Sequence, residues 1–174
     1  MQFNHDNMTG PLLAAELATL AEREWSREEA GQMLGRYRIR RPALSEASAE
    51  QLRAWSVRLR SVFVAVDAQG RCDAINVLLE ASTSRAYLSM HDEWKPHLHF
   101  AFDDDDVVAR VKAATAGGLA LFTVEAEGER LGACQREGCP EVFVDTSRNG
   151  RRAYCSATCG NYVAVRRHRA LARS

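Results

Sequence analysis

The sequence predicts an α+β protein: a mainly helical domain with one small antiparallel β-hairpin or sheet, followed by a compact cysteine-rich module. Three observations carry this. Apolar residues recur at helical spacing through most of the first 80 positions, alternate instead over residues 86–102, and give way to four of the five cysteines within residues 134–159. A chain of 174 residues has room for one modest domain and a small module, and we place them at 1–130 and 131–174.

The elements follow in order. Gly10-Pro11 opens a first helix carrying Leu13, Leu17 and Leu20, since proline suits the first helical position. Ser26 and Glu29 form a capping box for a second helix with Ala30, Met33, Leu34 and Tyr37. Residues 38–42 break the pattern. Ser48 and Gln51 form another capping box, ahead of the stripe Leu52, Trp55, Leu59, Val62, Phe63 and Val66, which Ala68-Gln69-Gly70 ends. Asp73 can then cap a helix with Ile75, Leu78 and Leu79 inward. All these stripes are read as core packing.

Residues 86–90 and 97–102 alternate and predict a hairpin turning around 92–96. Leu98, Phe100 and Phe102 would share one face, and His97, His99 and Ala101 the other. The run Asp103 to Asp106 sits where a helix starts, and carboxylates there complement the helix dipole without a metal. Gly117-Gly118 is expected to end that helix, residues 119–124 to form a third short strand, and 125–132 to connect to the module. No stretch reads as long and apolar enough to span a membrane, and the start lacks signal-peptide character. With the odd cysteine, Cys72, this places the protein in a reducing cytoplasm.

The cysteines come as Cys134/Cys139 and Cys155/Cys159, two pairs separated by a segment that reads as a hairpin: Val142-Phe143-Val144, the turn dipeptide Asn149-Gly150, and a return strand over 151–154. Two short loops so joined can bring four soft ligands to one zinc ion. Two disulfides or four buried thiols are the competing readings. The charge is also uneven. Residues 130–174 hold nine arginines against three acids, a net of +6, while residues 1–129 carry −6. Four thiolates and one zinc would lower the tail to about +4. Such asymmetry points to an anionic partner for the tail.

Residues 134–169 resemble the CGNR zinc finger. The residues that carry this are the four cysteines, Phe143, Asp145, Ser147, Arg151, Arg152, Tyr154, then Cys159-Gly160-Asn161 and the later Arg166, Arg167 and Arg169. Tyr162 stands where the name-giving motif has arginine, and the second cysteine pair is a residue tighter than the pattern suggests. Residues 1–130 resemble, in order and length of elements, the ABATE domain that precedes this finger. The resemblance implies a treble-clef-like zinc finger in a family regarded as stress-induced transcription regulators.

On a helix continuing from Cys159, Tyr162, Arg166, Arg169 and Arg173 fall within one stripe about 60° wide, with Arg167 further round. Arginine suits both phosphate contact and bidentate reading of guanine. Arg151, Arg152, Tyr162, Arg166, Arg167, Arg169 and Arg173 are therefore the candidate DNA-contacting residues. Pairing of these arginines with the acidic larger domain is the opposing expectation. His91, His97 and His99 are the candidates for chemistry in the larger domain. Without a third ligand at fixed spacing, a nucleophile motif or a glycine-rich phosphate loop, no enzyme is expected. The histidines read first as surface or partly buried structural residues, and the functional role open to His97 and His99 is the lining of a small-ligand pocket. The function expected is a zinc-finger DNA-binding regulator, acting as a homodimer on two half-sites, whose first domain senses a ligand or mediates dimerisation. A zinc-stabilised protein- or RNA-interaction module is the alternative.

Overall fold

A computed structural model describes residues 8–82, 86–89, 97–102 and 104–172. Their elements run α1 (Thr9–Glu22), α2 (Arg27–Arg36), α3 (Glu46–Val64), α4 (Ala68–Ala81), β1 (Tyr87–Ser89), β2 (His97–His99), α5 (Val107–Glu125), β3 (Leu131–Ala133), β4 (Val142–Val144) and α6 (Ala157–Leu171). The mainly helical α+β architecture with small antiparallel strand pairs is thus present.

Local chemistry explains most of the helix starts. Ser26 caps α2, its hydroxyl accepting the Glu29 N–H at 3.2 Å. Asp106 caps α5 by accepting the Ala109 N–H at 2.8 Å. Two starts differ from the expectation. Ser45, not Ser48, caps α3, and Ser48 is the residue whose N–H it accepts, at 3.1 Å. Asp67, not Asp73, caps α4, accepting the Gly70 N–H at 2.8 Å. Ala68-Gln69-Gly70 therefore begins a helix instead of ending one. Both misplacements have one cause: several cap-capable residues lie in succession, and the earliest that frees a full turn wins. Val66 falls in the α3–α4 corner and is 97% exposed, and Leu79 is 36% exposed, so neither joins the core.

The core lies where α1, α3 and α5 meet, around Leu13, Leu17, Trp55, Phe63, Leu119 and Phe122. Each such side chain, fully buried, contributes about 1.5–3 kcal/mol relative to exposure. Trp55 keeps its indole N–H satisfied by donating to Thr115 Oγ1 at 3.0 Å, and Thr115 in turn donates to the Val111 carbonyl at 2.7 Å.

The largest departure concerns α5, which runs unbroken through Gly117-Gly118, so residues 119–124 are helix and no strand forms there. These glycines serve contact, not termination. A Cβ on Gly118 would lie 2.8 Å from the Gly10 Cα, and one on Gly10 would lie 2.4 Å from the Ala114 carbonyl oxygen, so α1 and α5 cross backbone to backbone. Gly117 leaves room for the Phe100 ring. Unbroken, α5 is also long and apolar enough to cross a membrane, contrary to the expectation, but it packs against α1, α3 and α4 as the central core helix.

The hairpin forms, with Tyr87 opposite His99, Leu88 opposite Leu98 and Ser89 opposite His97. Its expected turn and Met90 to Pro96 lie outside the described residues. Leu88 is 72% and Leu98 36% exposed, so this cross-strand pair is left uncovered, while Phe100 just beyond β2 packs against Gly117. Tyr87 instead stacks on His99 at 5.1 Å and on Phe102 at 5.3 Å.

In the tail, β4 pairs with β3, not with the segment 151–154, which forms no strand. The two parts share one core. Leu131, Val142 and Val144 belong to the same buried cluster as the helices, and the Val142 N–H donates to Thr19 Oγ1 at 3.1 Å. Arg71 seals this junction. It is buried, donates to the carbonyls of Val62, Leu131 and Gly128, and makes no ion pair among the described residues; burial pulls its pKa down against the nearby Glu129 and Asp67.

Gly118→Ala should destabilise the fold by about 1–3 kcal/mol because the helices must part to admit the methyl group. Gly35→Ala, at a helical site with no atom within 4 Å of the new carbon, should stabilise it by about 0.5–1 kcal/mol. Urea titration followed by circular dichroism measures both.

Candidate metal centre

Each cysteine is delivered by a different local device. Cys134 leaves β3, and its N–H donates to the Glu141 carbonyl at 2.9 Å, closing the first loop. Within that loop Gly138 takes φ +73°, a conformation glycine adopts freely, and the Cys139 N–H reaches the Arg136 carbonyl at 3.0 Å. The second loop is tied to the first by the Gln135 N–H on the Ala153 carbonyl, 3.0 Å. Cys159 sits in the first turn of α6, its N–H held by the capping hydroxyl of Ser156 at 3.2 Å.

Together these place all four Sγ atoms within 4.8 Å of one another. The separations are 3.8 Å for Cys139–Cys155, 3.9 Å for Cys139–Cys159 and 3.5 Å for Cys155–Cys159. A disulfide needs about 2.05 Å, so no pair is bonded. Tetrahedral zinc at about 2.3 Å from each sulfur requires sulfurs about 3.8 Å apart, and the observed set fits. Cys134 and Cys159 are buried and Cys139 and Cys155 half-buried, whereas Cys72 is exposed on α4 and away from the cluster.

Four thiols this close cannot all ionise without a cation. Burial first, then the other three cysteines, pushes the Cys155 thiol up to about 12. Burial also works to raise Cys139, but hydrogen bonds from its neighbours and from Arg136 outweigh it and lower the net value. A bound dication would remove the conflict and hold the two loops together. Arg136 lies near the sulfurs, where its positive charge offsets the excess negative charge of a four-thiolate site.

Behind the sulfurs, Asp145 organises the segment between the two pairs. It is buried, and its carboxylate accepts the Ser147 N–H and the Arg152 N–H, each at 2.8 Å. Burial alone would raise its pKa, but these hydrogen bonds and nearby Arg130 hold it below the usual carboxylate range. The expected turn at Asn149-Gly150 is present, with Gly150 at φ +60°.

The candidate DNA-contacting residues divide. Arg152 is engaged by the module itself, donating to the Tyr154 and Cys155 carbonyls and lying over the Phe143 ring at 4.7 Å. Arg166 pairs with Glu137 of the first loop at 3.2 Å and lies over Tyr162, whose ring also receives Arg136 at 5.6 Å. Arg151, Arg167 and Arg169 are exposed and have no ion pair among the described residues. Arg173 lies outside the described residues. None of the described members of this set pairs with an acid of residues 1–129. Along α6 only Cys159 is buried, so the helix stands out from the body over most of its length.

Of the histidines, His97 is placed as strand backbone, His99 is half-buried beside a cavity between the hairpin and the α1–α5 crossing, and His91 lies outside the described residues. Arg136, Glu137 and Asp145 acquire roles that spacing alone did not assign. Their position between or just beyond the ligand pairs was the available signal.

Residues 130–172 match the family model of the CGNR zinc finger. No curated protein matches the chain. The finger match and the sulfur geometry agree on a four-cysteine zinc site.

Elemental analysis should find one zinc per chain, lost in Cys155→Ser and kept in Cys72→Ser. Because β3 and β4 share the helical core, chelation should lower the melting temperature of the whole chain, and unchanged tryptophan near-ultraviolet dichroism on melting of the tail alone would contradict this. Asp145→Ala should cost about 1–3 kcal/mol by removing the buried acceptor of two part-buried N–H groups. Since the Asp145 pKa is lowered on folding, its stabilisation is complete above the unfolded carboxylate range and is lost as pH falls through the folded value. Wild type should therefore lose more stability than the Ala variant on acidification.

Proposed function

We propose that this protein is a zinc-finger DNA-binding transcriptional regulator in which α6 contacts the duplex and residues 1–129 sense a ligand or mediate dimerisation. The observation that supports it best is the state of α6: a 15-residue helix anchored at its Cys159 end and exposed beyond it, with Arg167 and Arg169 unpaired among the described residues. A helix of that width fits the major groove, and guanidinium groups serve phosphate and guanine alike. In this reading Arg151, Arg166, Arg167 and Arg169 make the contacts, while Arg152 serves the fold. A single finger buries little surface, so two copies on two half-sites are the working form. A reducing cytoplasm suits the free thiolates the site needs.

A second reading has its own observation. Val165 is 48% exposed beside the Tyr162–Arg166–Arg169 stripe and Leu171 70% exposed on the opposite side of α6, apolar surface that a docking partner could cover.

Salt decides between them. Phosphate contacts release counterions, so log affinity for duplex should fall against log salt with a slope of about −0.9 per phosphate, roughly −3 to −4 for about four contacts. Arg167→Ala and Arg169→Ala should each flatten the slope by about one without loss of zinc. Absence of duplex binding by the zinc-loaded protein at low salt would leave the docking reading standing.

A further inference from the structure

The cavity beside His99, of about 280 Å³, opens between the hairpin, the chain after α2 and the α1–α5 crossing. Its charge is one-sided. Arg38, Arg40, Arg110 and His99 line it, and no carboxylate does among the described residues. Ile39, Phe100 and Leu121 make the rest of the wall apolar.

Three features suit an anion here. Arg110 is held in one orientation, donating to the Asp105 carbonyl and to the Arg40 carbonyl at 2.6 Å, while its Nε is buried with no partner. Arg38 takes φ 56° just beyond α2, where glycine is the usual residue, and its guanidinium has no partner among the described residues. The start of α1 also lines the cavity through Thr9 and Gly10. Met8 occupies the cap position with no side-chain hydrogen bond, and no acid sits in the first turn, so among the described residues the positive end of the helix dipole has no counter-charge of its own.

We infer that this cavity binds a small organic anion, a carboxylate or phosphate on a compact apolar body. The charged group would sit among Arg38, Arg110 and the α1 terminus, with the apolar body against Phe100 and Leu121. This rests on, and makes concrete, the ligand-sensing role proposed above, and His99 is the residue shared with the sequence-based pocket.

Calorimetry on the full-length, zinc-loaded protein tests it with benzoate, phenyl phosphate and the neutral benzamide. At least one anion should bind about tenfold or more tightly than benzamide, as charge-assisted hydrogen bonds require. Arg38→Gln, which removes no described side-chain contact of the fold, should weaken the anion about tenfold and leave benzamide unchanged. Whichever of benzoate and phenyl phosphate binds more tightly identifies the headgroup. Binding of both anions no tighter than benzamide, or undiminished in Arg38→Gln, overturns the inference. No DNA is present in this experiment, so its failure is distinct from failure of the DNA reading, which the salt titration reports.

Discussion

The buried hydrogen bond from the Val142 N–H to the Thr19 hydroxyl is where the zinc-binding tail becomes part of the helical body. An unsatisfied N–H at that depth would be costly, so α1 must present a hydroxyl at this turn for β4 to dock. The neighbouring contacts follow from that docking. Arg60 reaches the Pro140 carbonyl at 2.7 Å, Arg23 pairs with Glu141, and Arg71 gathers carbonyls from both sides of the seam. Three arginines of the nominally acidic part are thus spent on the junction. The excess charge of the tail is left for other partners.

Much of this was legible in the sequence because the signals were local. The cysteine pairs, Ser26 and the acidic run at the start of α5 each specify their structure within a few residues. Failures came where a local signal was overruled at a distance. Gly117-Gly118 reads as a helix end until Gly10 is known to lie against it, and only then does a missing Cβ mean close packing. Likewise the strand 142–144 was recognised, but its partner was not. Ala133 and its neighbours lie before the first cysteine, and the sequence does not show that the chain pairs backward across the ligand loop.

The candidate sites differ in the same way. The metal centre was readable because its ligands are few, rare in type and close together. The basic cavity was not, since Arg38, Arg110 and His99 are far apart in sequence and unremarkable singly. Only the α1–α5 crossing and the hairpin bring them to one place. His97 and His99 drew attention as a pair, yet it is the arginines around His99 that give the cavity its character.

The one-ended anchoring of α6 has a mechanical consequence. A rod held at its base converts angle into displacement, and this one is about 22 Å long. A tilt of about 15° at the cysteine cluster would carry Arg169, about 15 Å beyond Cys159, through about 4 Å, close to the rise of one base pair along a DNA strand. If α6 contacts DNA as proposed, small adjustments of the loops holding the sulfurs would shift the register of the arginines by about a nucleotide step. The seam between β4 and α1 sits at the base of that lever.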